Sequence, residues 1–474
     1  MSRLVVVSNR VSIPGPNNHA AGGLAVGVQA ALEDNGGLWF GWNGEVCATE
    51  PRTAEVDQRG AISYATIELN QDEFELYYNG FSNASLWPVF HYLLAYYKYD
   101  RAAFEAYWRV NSLFARRLLP LLRADDLIWV HDYHLIPLVS DLREAGIESP
   151  VGFFLHVPFP DFDMLRVLPV FRSLLRAMCM YDVVGFHTER DRENFINSVV
   201  DSSIGAERLD HCTIRLHDNI CRVDVYPIGI DVDTIGSLAE GAMDHPDVSD
   251  MVESLVGREL IIGVDRLDYS KGLQERFHSY QRLLEKYPTN RKAVTYMQIA
   301  PPTRTGVREY DTIRHELEQS AGHINGRFAT PNWVPLRYLN TGIKRDQLMA
   351  VFRAARVGLV TPIRDGMNLV AKEYVASQDP ADPGMLVLSL LAGAAAELQD
   401  AILVNPYDID DVADGIEQAL SMSLEERQRR HARMMEILRA NDITAWRTRF
   451  VKDLRAAGEQ NAAAVKLVGG ETGH

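Results

Sequence analysis

The stretch LIIGVDRLDYSKGL, residues 260–273, decides the fold class. Leu260–Val264 is a short apolar run with no polar interruption, the mark of a strand covered on both faces. The polar loop Asp265–Gly272 follows at once, and a helical pattern begins near Leu273. Strand, loop and helix in that order form the repeating unit of a parallel α/β sheet. Working outward, the same unit recurs. Apolar strands are expected at Leu4–Ser8, Leu127–Val130, Val151–His156, Val183–His187, Val223–Ile228, Ala293–Ile299, Val357–Thr361, Met385–Leu390 and Ile402–Asn405, with helical patterns between most of them. That is more than one doubly wound sheet usually carries, so the chain is expected to split into two such domains. The weakly patterned stretch Asp231–Pro246 offers the best boundary. Ligands of open parallel sheets bind outside the carboxyl ends of the strands, so the polar residues just after strands are the ones to read for function.

Bulk properties narrow the classes. The net charge of −16 opposes binding to a nucleic-acid duplex, which needs a basic face, yet leaves room for small anions held by a few placed cations. No apolar stretch reaches membrane-spanning length, and the run in MSRLVVVSNR is too short for a signal peptide. The cysteines Cys47, Cys179, Cys212 and Cys221 lack metal-type spacing. The expectation is a cytoplasmic protein with reduced thiols and no membrane or nucleic-acid partner.

Six segments carry candidate chemistry. Ser8-Asn9-Arg10 ends a strand, and Gly22-Gly23 then opens a helix, which suits either an anion or a tight turn. Trp42, Tyr78 and Trp87 lie among polar neighbours, as in a sugar site, although core packing explains any one of them as well. His131-Asp132-Tyr133-His134 follows a strand. A metal is rejected there because neighbours on an extended segment point to opposite faces. His156 ends the strand before Val157-Pro158-Phe159-Pro160 and reads equally as a ligand contact or a hydrogen-bonded structural histidine. Arg266 and Lys271 place two cations between a strand and a helix, an arrangement suited to a diphosphate. In Thr361–Glu373, Gly366 permits unusual backbone, Asn368 can cap a helix, and the free N–H groups of Leu369 and Val370 would face an anion. Glu373, just over one turn in, could accept hydrogen bonds from the vicinal hydroxyls of a ribose; a capped helix with a surface acid is the alternative.

Taken in order, HDYH, FFLHVPFP, RLDYSKG and RDGMNLVAKEYVA resemble the trehalose-6-phosphate synthase family over nearly the whole chain. The resemblance implies two facing Rossmann-like domains, the glycosyltransferase B architecture, with an acceptor domain over 1–236, a donor domain over 237–445, and a final helix over 446–462 returning to the first domain. It implies a retaining transfer of glucose from a nucleotide-glucose, UDP-glucose foremost, to glucose 6-phosphate. Arg10, Tyr78 and Arg304 would hold the acceptor phosphate, Trp42 and Trp87 would shape the acceptor site, and Asp132 would bind acceptor hydroxyls. His156 would contact the donor glucose, and Gly22, Gly23, Arg266 and Lys271 would hold the diphosphate. Ile343 would meet the base by main chain. The run Asp365, Gly366, Met367, Asn368, Leu369, Val370, Ala371, Lys372 and Glu373 would wrap the donor, with Asp365 on glucose hydroxyls. Asp132, His156, Arg266 and Lys271 would carry the chemistry, with no cofactor and no metal. A homo-oligomer is compatible with this reading.

Two other functions compete with this one. A related enzyme using a cyclitol would differ around the acceptor, where Arg10, Tyr78, Trp87 and Arg304 are all present. A non-catalytic sensor of sugar phosphates would have lost several site residues, and none is lost.

Overall fold

A computed structural model describes residues 2–13, 27–29, 31–32, 36–48, 53–303 and 308–470, with side chains to residue 459 except at 308 and 309. The chain forms two compact units, residues 1–227 with 444–474, and residues 228–443.

The sheet of the first unit is built from β1 Leu4–Arg10, β2 Gly37–Cys47, β3 Glu55–Arg59, β4 Ile62–Asn70, β5 Leu127–His131, β6 Val151–Phe154, β7 Val183–Phe186, β8 Ala206–Arg208, β9 Thr213–Leu216 and β10 Asn219–Val225. Their order is β3-β4-β2-β1-β5-β6-β7-β10-β9-β8. Pairing is parallel from β4 to β10, and only the edges, β3 on β4 and β8-β9-β10, are antiparallel. The middle strands are buried along their length because helices cover both faces, so Val5, Val6, Val7, Ile128, Trp129 and Val130 are fully enclosed. From β1 the chain first steps to β2 on one side and later to β5 on the other. The carboxyl ends of β1 and β5 therefore flank a topological switch point, where open sheets leave a crevice.

The second unit repeats the plan with β11 Glu259–Val264, β12 Val294–Ile299, β13 Leu336–Leu339, β14 Val357–Val360, β15 Met385–Ser389 and β16 Ile402–Val404, ordered β13-β12-β11-β14-β15-β16 and parallel throughout. Its switch point lies between β11 and β14. Both sheets are mixed with helices in the manner of Rossmann-like domains.

Some elements depart from the expectations. The strands β2, β3, β4, β8, β9 and β13 add to the predicted set. β2 contains the Trp39–Trp42 aromatics, and Trp39 faces the core, its indole N–H donating to Ser8 Oγ at 2.8 Å. The stretch expected to be weakly patterned holds a helix, Val232–Gly241, capped by Asp231 through the backbone N–H of Thr234. That helix packs on Arg345–Ala354 and Leu369–Ser377, so the units divide at Pro227/Ile228 and not further on. The final helix, Ile443–Gly470, stacks Phe450 on Trp129 of β5 at 4.5 Å.

Candidate active site

In the first unit the candidates gather at the carboxyl ends of β1, β5 and β6. Arg10 ends β1, and its guanidinium stands over the Trp42 ring at 5.9 Å. Trp42 meets Tyr78 at 5.8 Å, and Tyr78 stacks on His134 at 5.7 Å with the rings 11° apart. His134 touches Tyr133, and Tyr133 meets Trp87. The predicted residues Arg10, Trp42, Tyr78 and Trp87 thus lie in one contiguous set of rings. Tyr133 and His134, quoted in the sequence but given no role, complete it.

Tyr78 is carried by an unusual element, the π-helix Phe74–Leu86. π-Helical geometry is rare, mostly limited to single turns, and concentrated at functional sites. Buried hydrogen bonds anchor it here: Tyr77 OH donates to Asn9 Oδ1 at 2.7 Å, and Asn83 Oδ1 accepts from Tyr133 OH at 2.9 Å.

Asp132 follows β5 with φ 74° and ψ 163°, a conformation costly for any residue but glycine. Its backbone N–H donates to Phe154 O at 2.8 Å, and its carboxylate Oδ1 accepts the N–H of His156 at 3.3 Å. The ends of β5 and β6 are thereby tied. The His156 ring shares a 3.0 Å hydrogen bond with Nδ1 of buried His131. Burial holds His156 down at about 3 and His131 well below the ordinary histidine range, so both rings are neutral near pH 7.

In the second unit Lys271 Nζ meets Asp365 Oδ2 at 2.5 Å, across the β11/β14 switch point. Asn368 adds a second hydrogen bond to Asp365 Oδ2, at 3.0 Å, while its own Oδ1 caps the helix Leu369–Ser377 through Ala371 N–H. The loops are laced by backbone: Ile363 N–H donates to Ser270 O at 2.9 Å. Gly366, expected to permit unusual backbone, has no positive φ; the left-handed residue of this loop is Asn368, φ 76°. Met367 is buried, and its carbonyl accepts from Ala394. Leu369 and Val370 occupy the first helical turn, where intrahelical partners for N–H are absent. Arg266 is exposed and has no ion-pair partner among the described residues.

Glu373 pairs with Arg345 at 3.0 Å, and Arg345 sits two residues beyond Ile343. Burial raises the Glu373 carboxyl, and Arg345 opposes that shift. Lys372 turns the other way: fully buried, it donates to Ile228 O at 2.7 Å and pairs with Glu397 at 2.5 Å, so its amine is committed inside the unit. Gly22, Gly23 and Arg304 lie outside the described residues. The D-x-D triplets Asp161-Phe162-Asp163, Asp231-Val232-Asp233 and Asp408-Ile409-Asp410 all serve as helix starts. Asp161 caps Phe162–Leu165, Asp231 caps Val232–Gly241, and Asp408 caps Ile409–Ser421. Among the described residues only Asp210, His211 and Cys212 bring three ligand atoms within 4.8 Å of one another.

The sequence profile of Glycosyltransferase family 20 matches residues 4–456. The chain belongs to this family. Relatives within it share about half of its residues. A trehalose-6-phosphate synthase of Enterobacter sp. (strain 638) is 51% identical over 458 residues, 96% of this chain and 95% of its own. A solved α,α-trehalose-phosphate synthase (UDP-forming) of Burkholderia xenovorans, in complex with glucose-6-phosphate, is similar at 50% identity and TM-score 0.92, over 96% of this chain and 100% of that one. An E. coli relative bound with UDP-2-fluoro glucose is 48% identical with TM-score 0.91, over 96% and 99%. Among the described residues no helix is long and apolar enough to cross a membrane.

Proposed function

We propose that this chain transfers the glucosyl group of UDP-glucose to glucose 6-phosphate, giving α,α-trehalose 6-phosphate and UDP with retention at the donor carbon. The observation that carries the proposal is near-half identity, over almost the full chain, with relatives solved with glucose-6-phosphate and with a UDP-glucose analogue. The first unit takes the acceptor. Arg10, Tyr78 and Arg304 hold the phosphate, Trp42 and Trp87 shape the site around the sugar, and Asp132 holds its hydroxyls. The second unit takes the donor. Arg266, Lys271 and the N–H groups of Leu369 and Val370 stabilise the diphosphate, Asp365 holds glucose hydroxyls, Glu373 the ribose, and Ile343 the base through main chain.

In the reaction the bond from the glucose anomeric carbon to the diphosphate oxygen breaks, and a bond forms to the anomeric oxygen of glucose 6-phosphate on the same face. The leaving oxygen takes the acceptor's proton while Arg266 and Lys271 stabilise its growing charge. No carboxylate is assigned to attack the donor carbon: Asp132, Asp365 and Glu373 have other duties, and neutral His156 holds the glucose. No metal is needed, because cationic side chains do its work, and the enzyme acts in the cytoplasm.

The deciding experiment incubates the protein with UDP-glucose and glucose 6-phosphate and identifies the product by NMR. The α,α-linked phosphorylated disaccharide, formed also in EDTA, is expected. Absence of product, or a product only from a cyclitol acceptor, overturns the assignment. Mass spectrometry after mixing with donor alone should show unmodified protein; a chemically competent glucosyl adduct would overturn the front-face mechanism.

A further inference from the structure

The helix Leu273–Lys286 packs an apolar stripe of Leu273, Phe277, Tyr280, Leu283 and Leu284 into the core, and Arg276 lies on the same stripe with no exposed side-chain surface. Its fork reaches several segments at once. Nε donates to Thr361 Oγ1 at 3.0 Å, Nη1 to Gln298 Oε1 at 3.0 Å, and Nη2 to the carbonyl of Lys271 at 3.2 Å. Nη1 also lies 2.8 Å from Oδ2 of buried Asp265. These partners belong to the carboxyl ends of the neighbouring strands β12, β11 and β14, from which the Asp265–Lys271 loop and the Thr361–Asp365 turn emerge. The space is shaped for this network: a Cβ on Gly263 would come within 2.5 Å of Gln298 Oε1 and 3.0 Å of Arg276 Nη1.

We infer that Arg276 is a positioning residue, holding the Lys271 loop and the Thr361–Asp365 turn in the relative register that places Lys271 and Asp365 for the donor; this rests on the reading of that loop as the donor-diphosphate site. A buried ion pair contributes little stability over well-packed apolar groups of the same volume, and an apolar residue would suit this helix face. What an apolar residue could not do is hold a loop carbonyl, a hydroxyl and a carboxylate together with one planar group. Arg276 is itself enclosed, and its fork is spent on protein partners. It acts on the donor through the backbone it fixes.

The test uses the full-length protein and calorimetric binding of UDP, with KM for UDP-glucose and for glucose 6-phosphate measured alongside. Arg276→Lys keeps a charge beside Asp265 and loses the fork. It is expected to weaken UDP binding and raise the donor KM by about tenfold or more, while the acceptor KM moves less than about twofold. Thr361→Val removes a single acceptor, should shift the same constants by a few-fold in the same direction, and decides the question if Arg276→Lys does not fold. Lys271→Ala, run in parallel, tests the underlying reading. If it leaves UDP affinity unchanged, the loop is not the diphosphate site and the positioning role falls with it. If Lys271→Ala weakens UDP binding while folded Arg276→Lys and Thr361→Val bind UDP as the parent does, the site stands and the positioning role is overturned. An acceptor KM raised as much as the donor KM would also overturn it, since general loosening makes no such distinction.

Discussion

Glu373 and Arg345 share one charge-assisted contact at 3.0 Å in a largely buried setting, and that setting bears on what each can do. The carboxylate is desolvated, so a hydroxyl pair that hydrogen-bonds it offsets a cost already incurred in the free protein. Glu373→Gln should therefore weaken UDP binding by about tenfold or more, within the range for a hydrogen bond to a charged group. Calorimetry without acceptor reads this directly; unchanged affinity would remove Glu373 from the nucleotide site. His131 and His156 give a second residue-level consequence. Both rings stay neutral in the folded protein at pH values where a free histidine, with its ordinary value near 6.5, already takes a proton. Below about pH 6.5 the unfolded chain thus binds more protons than the folded one, and stability falls as pH drops through the acid range. Urea midpoints should decline over that window, and His156→Asn should make the decline shallower; an unaltered slope would contradict the assignment. Asp132, His156, Lys271 and Asp365 were legible in the sequence because each closely follows an apolar strand. Lys372 was expected with the donor run, but its amine is spent on Ile228 O and Glu397 inside the unit. Arg276 was not read, although it left a trace: a cation on the core-facing side of its helix, where Leu273 and Phe277 are its neighbours.

At the scale of elements, buried central strands were readable because helices cover both faces and leave an unbroken apolar run. β3, Glu55–Arg59, carries no such signal, since every residue on it is exposed at a sheet edge. β2 hid behind its own composition, because Trp39, Phe40 and Trp42 suit a sugar site and a core strand equally. The π-helix matches neither the strand nor the α-helical period, which is why Phe74–Leu86 escaped assignment and only its aromatics were noticed. The helix Leu369–Ser377 is the most consequential element, because its opposite sides serve different ends. Its first turn is assigned to the donor, while Lys372 holds the carbonyl of Ile228, at the start of the second unit, and Glu397, which also accepts from Asn441 at 2.9 Å. Lys372→Met leaves Glu397 buried beside an apolar chain and should destabilise the protein by about 3–5 kcal/mol. Replacing Glu397 by Met as well should recover much of that loss. Chemical denaturation of the single and double variants checks this, and a double variant as unstable as the single would show that the stranded charge is not the cause.

Across the whole molecule, the chain leaves the first unit at Pro227 and returns to it at Thr444, so the final helix completes a sheet whose strands were laid down hundreds of residues earlier. The fit is close on both sides. Phe450 is fully buried, stacks on Trp129 at 4.5 Å, and meets Phe154 and Tyr226 edge-on. Asp453, one turn further on, accepts from Tyr226 OH at 2.9 Å. β6 makes room for this by carrying Gly152, where a Cβ would stand 2.8 Å from the Phe450 ring, nearer than packed carbons approach. Phe450→Ala should cost about 3–5 kcal/mol, the usual range for emptying a large aromatic site. Tryptophan fluorescence is suited to following the loss, since Trp333 is the only one of the 7 tryptophans that lies in the second unit. Gly152→Ala alone should also destabilise, by pressing a methyl into the ring. If the two residues occupy the same space, the added methyl fills part of the cavity that the lost ring leaves, and the double variant should be more stable than the sum of the single losses predicts. Strictly additive losses in urea unfolding would mean that the ring and the glycine do not meet, and that the last helix closes the first sheet through some other contact.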